Sequence, residues 1–137
     1  MPADDARRED VSAWLSKASL DLRAAEVELS SRDDGLLGDV LFHAQQAAEK
    51  SLKALLAWHD VPFRKTHDLE ELGRTCLAIA PTLRGLVDEA VILTPYAWRF
   101  RYPGDVEEPS RTEATEAVEL AKRLRDAVVA VLPSLSR

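Results

Sequence analysis

The chain has 137 residues, enough for one domain and too few for two ordinary ones. A chain of this size buries roughly two-thirds of its unfolded surface, so it needs no metal or disulfide to fold. Its 46% hydrophobic and 31% charged residues make a globular composition, and the single cysteine, Cys76, excludes an internal disulfide or a cysteine-based zinc site. A formal net charge of -6, from 18 basic and 24 acidic residues, argues against a dedicated duplex-DNA binder.

The opening MPADDARRED has no apolar core, and no uncharged apolar run reaches the ~18 residues of a membrane span. No signal peptide and no membrane association are therefore expected, and the expected location is cytoplasmic. Charge is unevenly spread. Residues 1–34 hold nine acids and five bases, whereas residues 43–67 hold two acids, four bases and all three histidines. That basic window is where an anionic ligand would be sought.

Val11, Leu15, Ala18, Leu22, Ala25 and Leu29 alternate spacings of four and three, which predicts an amphipathic helix from about Asp5 to Ser31. Arg32-Asp33-Asp34-Gly35 is a polar break, with the glycine suited to a helix terminus. A second helix is predicted from about Leu36 to His59, with Leu41, Ala44, Ala48, Leu52 and Leu55 on its apolar face. His43, Gln46, Glu49, Lys50 and Lys53 fall on the opposite edge, and Gln45 lies near the apolar face, where it could cap a buried polar group. Val61-Pro62 ends this helix, because proline disfavours helical backbone in the residue before it.

A short third helix is predicted around Leu69, Leu72, Cys76 and Ile79, with Thr66 or His67 at its start. Pro81 can open a fourth, whose face is Leu83, Leu86, Val87, Ala90 and Leu93, and Pro95 ends or kinks it. Tyr96 to Pro109 is irregular, with Tyr96, Trp98, Phe100 and Tyr102 alternating with Arg99 and Arg101. A last helix runs from about Ser110 to Leu132, opened by a Ser110/Glu113 capping box. Five helical segments, short connections and no partnered strand predict an all-α class, an antiparallel bundle of four to five helices in a single domain over residues 1–137, its core at about 10–132.

There is no Gly-rich phosphate loop, no HExxH and no GxSxG. Cys76 falls on an apolar helix face and reads as a small core residue. His43, Gln46, Lys50 and Lys53 could contact phosphates and base edges along the second helix, or form a solvated edge with Glu49-Lys53 as an i,i+4 pair. Lys65, Thr66 and His67 could place an anion at a helix start, or Thr66 and Asp68 could simply cap it. Arg99, Arg101 and Tyr102 could pair and stack with a nucleotide or single-stranded RNA, or the aromatics could plug the bundle end while the arginines face water. His43, His59 and His67 are too scattered to mark a metal site, and no metal or cofactor is expected.

FHAQQAAEKSLKALL, then KTHDL, then RYPG, preceded by Trp14, Ala18, Asp21, Leu22 and Ala25, resembles the HEPN family, the higher eukaryotes and prokaryotes nucleotide-binding domain, over about residues 12–130. The resemblance implies an all-α bundle, commonly a homodimer, that associates with nucleotides or RNA. Many relatives are ribonucleases of toxin–antitoxin or defence systems, and others are encoded beside a small nucleotidyltransferase that serves as antitoxin, so the resemblance implies such a partner here. The ribonuclease branch carries an arginine, four to six residues, then a histidine. This chain has no such spacing; Arg64 to His67 is the nearest approach, and Arg99 to Pro103 stands where the motif is expected. Cleavage of RNA without metal needs a proton acceptor and a donor, and arginine is a poor base. The expected function is therefore binding, through His43, Lys50, Lys53, Lys65, His67, Arg99, Arg101 and Tyr102, and not catalysis by the chain alone. A ribonuclease using Arg99 or Arg101 with His43 or His67, and a purely structural interaction module, are the alternatives.

Overall fold

A computed structural model describes residues 2–104 and 107–134. Five α-helices follow in order: α1 (Pro2–Ser30), α2 (Leu37–Trp58), α3 (Leu69–Ile79), α4 (Arg84–Ala90) and α5 (Arg111–Val131). Short 3-10 turns at Asp34–Leu36, Pro81–Leu83 and Val91–Ala97 join them, and no strand occurs among the described residues. The expected all-α bundle is what forms, because each helix carries a stripe of apolar residues that must be buried. The irregular span expected around residues 96–109 includes Asp105 and Val106, which lie outside the described residues.

Helix α2 is the central pillar. Its Leu41, Ala44, Ala48, Leu52 and Leu55 are fully buried, as are Val40, Ala47, Ala54 and Leu56 on its other sides. Helices α1, α3 and α5 and the Val91–Ala97 turn pack around it. The pairings Arg7 to the Trp58 carbonyl, Asp21 to Lys50 and Glu28 to His43 run in opposite directions along α1 and α2, so the two form an antiparallel hairpin. Arg111 reaches the Leu29 carbonyl and Arg125 reaches Ser19, which sets α5 antiparallel to α1.

The ends of the helices depart from expectation in two places. The left-handed residue after α1 is Arg32 (φ 66°) and not Gly35, which sits in the 3-10 turn with its amide bound by Asp33 Oδ1. At α3 the cap is Asp68, one of the two residues expected to cap it, accepting from the amides of Glu70 and Glu71, while Thr66 accepts from the Asp68 amide. Ser110 does cap α5, but the capping box is half made: Glu113 turns away from Ser110 and accepts from the Tyr96 hydroxyl at 2.6 Å, tying the Val91–Ala97 turn to α5.

Gly38, in the first turn of α2, lets Phe100 pack against the helix backbone; a Cβ there would lie 2.7 Å from that of Phe100. Alanine's helix preference is worth ~0.8–1.0 kcal/mol over glycine, but overpacking costs ~1–3 kcal/mol. Gly38→Ala should therefore lower the thermal midpoint, while Gly85→Ala on α4, whose added Cβ meets nothing within 4 Å, should raise it. Denaturation followed by circular dichroism checks both; an unchanged or higher midpoint for Gly38→Ala would mean that Phe100 does not anchor the segment after it.

Candidate functional site

The second helix has no solvated edge of the kind its periodicity suggests. Gln45, Gln46, Glu49 and Lys53 are buried, because α1, α3 and the 59–68 loop enclose α2 on several sides. The candidate residues divide into two clusters on either side of this helix.

The first cluster centres on Glu49, which is 3% exposed. Its Oε2 accepts from Lys53 Nζ at 2.8 Å, and its Oε1 is 2.8 Å from His67 Nδ1 and 3.1 Å from Gln45 Nε2. Gln45 also donates to the His67 carbonyl, and in bonding Glu49 it caps a buried polar group as the sequence suggested. The Lys53 ammonium lies over the rings of Trp14 and Phe63, 5.5 and 5.7 Å from their centroids. Burial alone would raise the Glu49 carboxyl, but hydrogen bonds from Lys53, His67 and Gln45 outweigh it and hold Glu49 below its ordinary value. This network fastens the loop before α3 to α2. Lys65 is exposed beside it. The amides at the start of α3 already have partners, Glu70 and Glu71 on Asp68 and Leu69 on the Thr94 hydroxyl, so they offer little to an anion.

The second cluster lies between α1 and the N-terminal half of α2. Asp21 accepts from Lys50 Nζ at 2.7 Å and sits 2.8 Å from His43 Nδ1. Burial would raise the Asp21 carboxyl; the bonds from His43 and Lys50 hold it low instead. The same bond to Asp21 raises His43 against the opposing effect of its burial, helped by the Asp39, Asp21 and Glu28 charges. On the far side of the ring, His43 Nε2 is 3.4 Å from Asp39 Oδ2 and 3.8 Å from Glu28 Oε1. Burial, a hydrogen bond with Asp39 and the Asp39 charge push the Glu28 carboxyl up to about 7.

Asp39 links this cluster to the arginine-aromatic segment. Its Oδ1 is 3.5 Å from Arg101 Nη1, and the Arg101 guanidinium lies 4.0 Å over the Phe42 ring. The aromatics of that segment split in two. Tyr96 is buried and stacks on half-buried Phe100, whereas Trp98 and Tyr102 are 51% and 74% exposed. A cavity of about 440 Å³ opens here, lined by Gly35, Gly38, Asp39, Arg99, Phe100, Arg101, Tyr102, Pro103, Gly104 and Glu108. Two other hollows are chemically less apt. One, between α1 and α5, is lined by serines, apolar residues, Arg23 and an Arg125 tied to Ser19, and its lining offers no aromatic ring to a base. The other carries Glu89, Glu113, Glu116 and Glu119, which would repel a phosphate.

Burial pushes the Cys76 thiol up to about 12, consistent with a core residue and not a nucleophile. The structure thus brings His43, Lys50 and Arg101 into one chain of contacts through Asp21 and Asp39, with Arg99 and Tyr102 on the adjoining cavity wall. Lys53 and His67 belong to the other network. Sequence reasoning missed Asp21, Glu28 and Asp39 as partners of His43. The i,i+4 pair Asp39/His43 was a legible signal; Glu28 comes from a different helix and left none.

A family model described as HEPN domain matches residues 11–132. No curated protein and no solved structure matches the chain significantly. The fold and the extent of that match make the chain a member of the HEPN family, whose role is nucleotide- or RNA-related. Among the described residues, no helix is long and apolar enough to cross a membrane.

Proposed function

We propose that this HEPN chain is a cytoplasmic single-domain protein that binds a phosphate-bearing nucleotide or single-stranded RNA in the cavity between the start of α2 and residues 99–104. The observation that carries this reading is the placement of Arg99, Arg101 and exposed Tyr102 on one cavity wall. The arginines pair with phosphate oxygens and Tyr102 stacks on a base. Lys50 acts indirectly, by holding Asp21 against His43, and Lys53 holds the α2–loop junction. The test is a titration with ATP and with a single-stranded RNA, followed through the fluorescence of Trp98. Saturable binding that weakens with salt is expected; no response to either probe would reject the reading.

One observation favours a second reading, the ribonuclease: Asp39 contacts both His43 and Arg101. Metal-free RNA cleavage abolished by His43→Ala would establish it. The expected result is no cleavage above background, because the chain lacks the arginine and histidine at the spacing of the ribonuclease branch.

The proposed assembly is a homodimer. Leu41, Leu52, Leu55 and Leu56 of α2 are covered within the chain, so they cannot form the interface. Leu20 and Val27 on α1 and Val129 on α5 remain exposed, Leu20 and Val129 sharing one groove. Light scattering at micromolar concentration should give twice the chain mass, and Leu20→Asp with Val129→Asp should halve it. A wild-type monomer would end this proposal. A small nucleotidyltransferase is the proposed partner within a toxin–antitoxin or defence pair, supported by family membership; co-purification with the nucleotidyltransferase of the neighbouring reading frame tests it.

A further inference from the structure

We propose that Glu28 Oε1, Asp39 Oδ2 and His43 Nε2 form a binding site for one divalent metal ion of the Zn2+ type, with a fourth position open to water. The three ligand atoms lie within 4.8 Å of one another, on α1 and on adjacent turns of α2. Zinc bonds of ~2.0–2.2 Å in tetrahedral geometry place ligand atoms roughly 3.3–3.6 Å apart. Of the two separations from His43 Nε2, the 3.4 Å to Asp39 fits that spacing and the 3.8 Å to Glu28 is slightly longer, so Glu28 would close in by a few tenths of an ångström; both exceed the roughly 2.8–3.0 Å between neighbouring ligands of an octahedral Mg2+. One imidazole and two carboxylates also form a donor set suited to zinc.

Two further observations point to an occupant. The outer atom of the ring is already fixed: Asp21 holds His43 Nδ1 at 2.8 Å and is itself held by Lys50, which leaves Nε2 facing the two carboxylates. A carboxylate behind a histidine is the arrangement that orients metal-ligating imidazoles. In addition, Glu28 Oε1 is buried and makes no hydrogen bond with the described residues, although the carboxyl pairs with Asp39 and faces His43 Nε2 at 3.8 Å. The charged groups facing the site are Asp21 and Glu28 from α1, Asp39 and Lys50 from α2, and Arg101 from the segment after α4. A metal ion would take the place of the proton that these carboxylates otherwise share with His43. The site is independent of the nucleotide reading: it stands or falls on metal binding whatever the cavity holds.

The test uses the full chain freed of metal with chelator and titrated with Zn2+ in competition with a chromophoric chelator. One ion per chain is expected. Titration with Co2+ should produce the intense visible bands of tetrahedral cobalt, a readout that needs no mutation. Glu28→Gln and Asp39→Asn should each weaken Zn2+ at least 10-fold, and Asp21→Asn, which acts through His43, by ~10–100-fold. His59→Gln, at an exposed histidine outside the cluster, should leave affinity unchanged. Circular dichroism checks that each variant folds. No Zn2+ binding by the wild type at micromolar concentration would overturn the proposal and leave a proton as the occupant. Binding that survives the Glu28→Gln/Asp39→Asn double variant, or that is lost in His59→Gln, would overturn it equally.

Discussion

Glu49→Ala should lower the unfolding free energy by ~3–5 kcal/mol, the usual cost of removing one partner from a buried ion pair. The Lys53 side chain is 9% exposed, and its ammonium would lose the Glu49 oxygen 2.8 Å away and keep only two aromatic faces. Gln45 Nε2 and His67 Nδ1 would lose the same acceptor, freeing the loop before α3. Against a total stability of ~5–15 kcal/mol, such a loss is a large fraction. Urea denaturation at neutral pH measures it directly. Replacing both partners, as Glu49→Ala with Lys53→Met, should recover much of the loss, because no charge is then left buried. An unchanged urea midpoint in Glu49→Ala would show that the network contributes nothing net.

The same network has a predictable acid limit. Glu49 titrates below its ordinary value of 4.5 when folded. Its contribution is therefore fully present above pH 4.5 and is lost as pH falls through the lower folded value, where protonation removes the acceptor from Lys53. The gap in stability between the wild type and Glu49→Gln should be constant around neutrality and close on the acid side.

The reason sequence reading places Glu49 and Lys53 on an open edge lies in the helix they share. Periodicity locates one apolar stripe, and it does so correctly for Leu41, Ala44, Ala48, Leu52 and Leu55. It cannot tell how many neighbours a helix has. Helix α2 is enclosed by α1, α3 and α5, so polar residues off the stripe are also buried and must find one another. The end of α2 and the start of α5 were legible because Pro62 and Ser110 act locally, whereas Pro81 opens a 3-10 turn and α4 itself starts at Arg84. The Glu113–Tyr96 bond was not, since a capping box promises a local partner and tertiary contact supplied a better one. The candidate site followed the same division. Arg99, Arg101 and Tyr102 were visible as a run, and HEPN-like motifs were visible as words. That Asp39 joins the run to His43 depends on Phe100 packing over Gly38, which no local pattern encodes.

Replacing Arg99 and Arg101 together by alanine should weaken ATP or single-stranded RNA at least about 100-fold. Each hydrogen bond from a guanidinium to phosphate contributes ~1.5–3 kcal/mol when charge-assisted, so two arginines outweigh the contribution of either alone. The cavity lining pairs these two cations with two carboxylates, Asp39 and Glu108, so without the arginines its remaining charge repels a phosphate. The double lysine variant separates charge from shape. It restores both positive charges and should keep most of the salt dependence, but it loses the planar fork and the stacking of Arg101 on Phe42, 4.0 Å from the ring. Its affinity should fall ~10-fold relative to wild type. For RNA, the alanine variant should also flatten the plot of log affinity against log salt, by roughly 0.7 for each phosphate contact removed. Arg101 is 46% exposed in its side chain and its Asp39 contact is long, so neither change should unfold the chain, and circular dichroism verifies this before titration. Wild-type affinity and an unchanged salt slope in the alanine variant would move the nucleotide site away from this cavity. Weak binding by alanine with full binding by lysine would show that positive charge, and not the guanidinium geometry, holds the ligand.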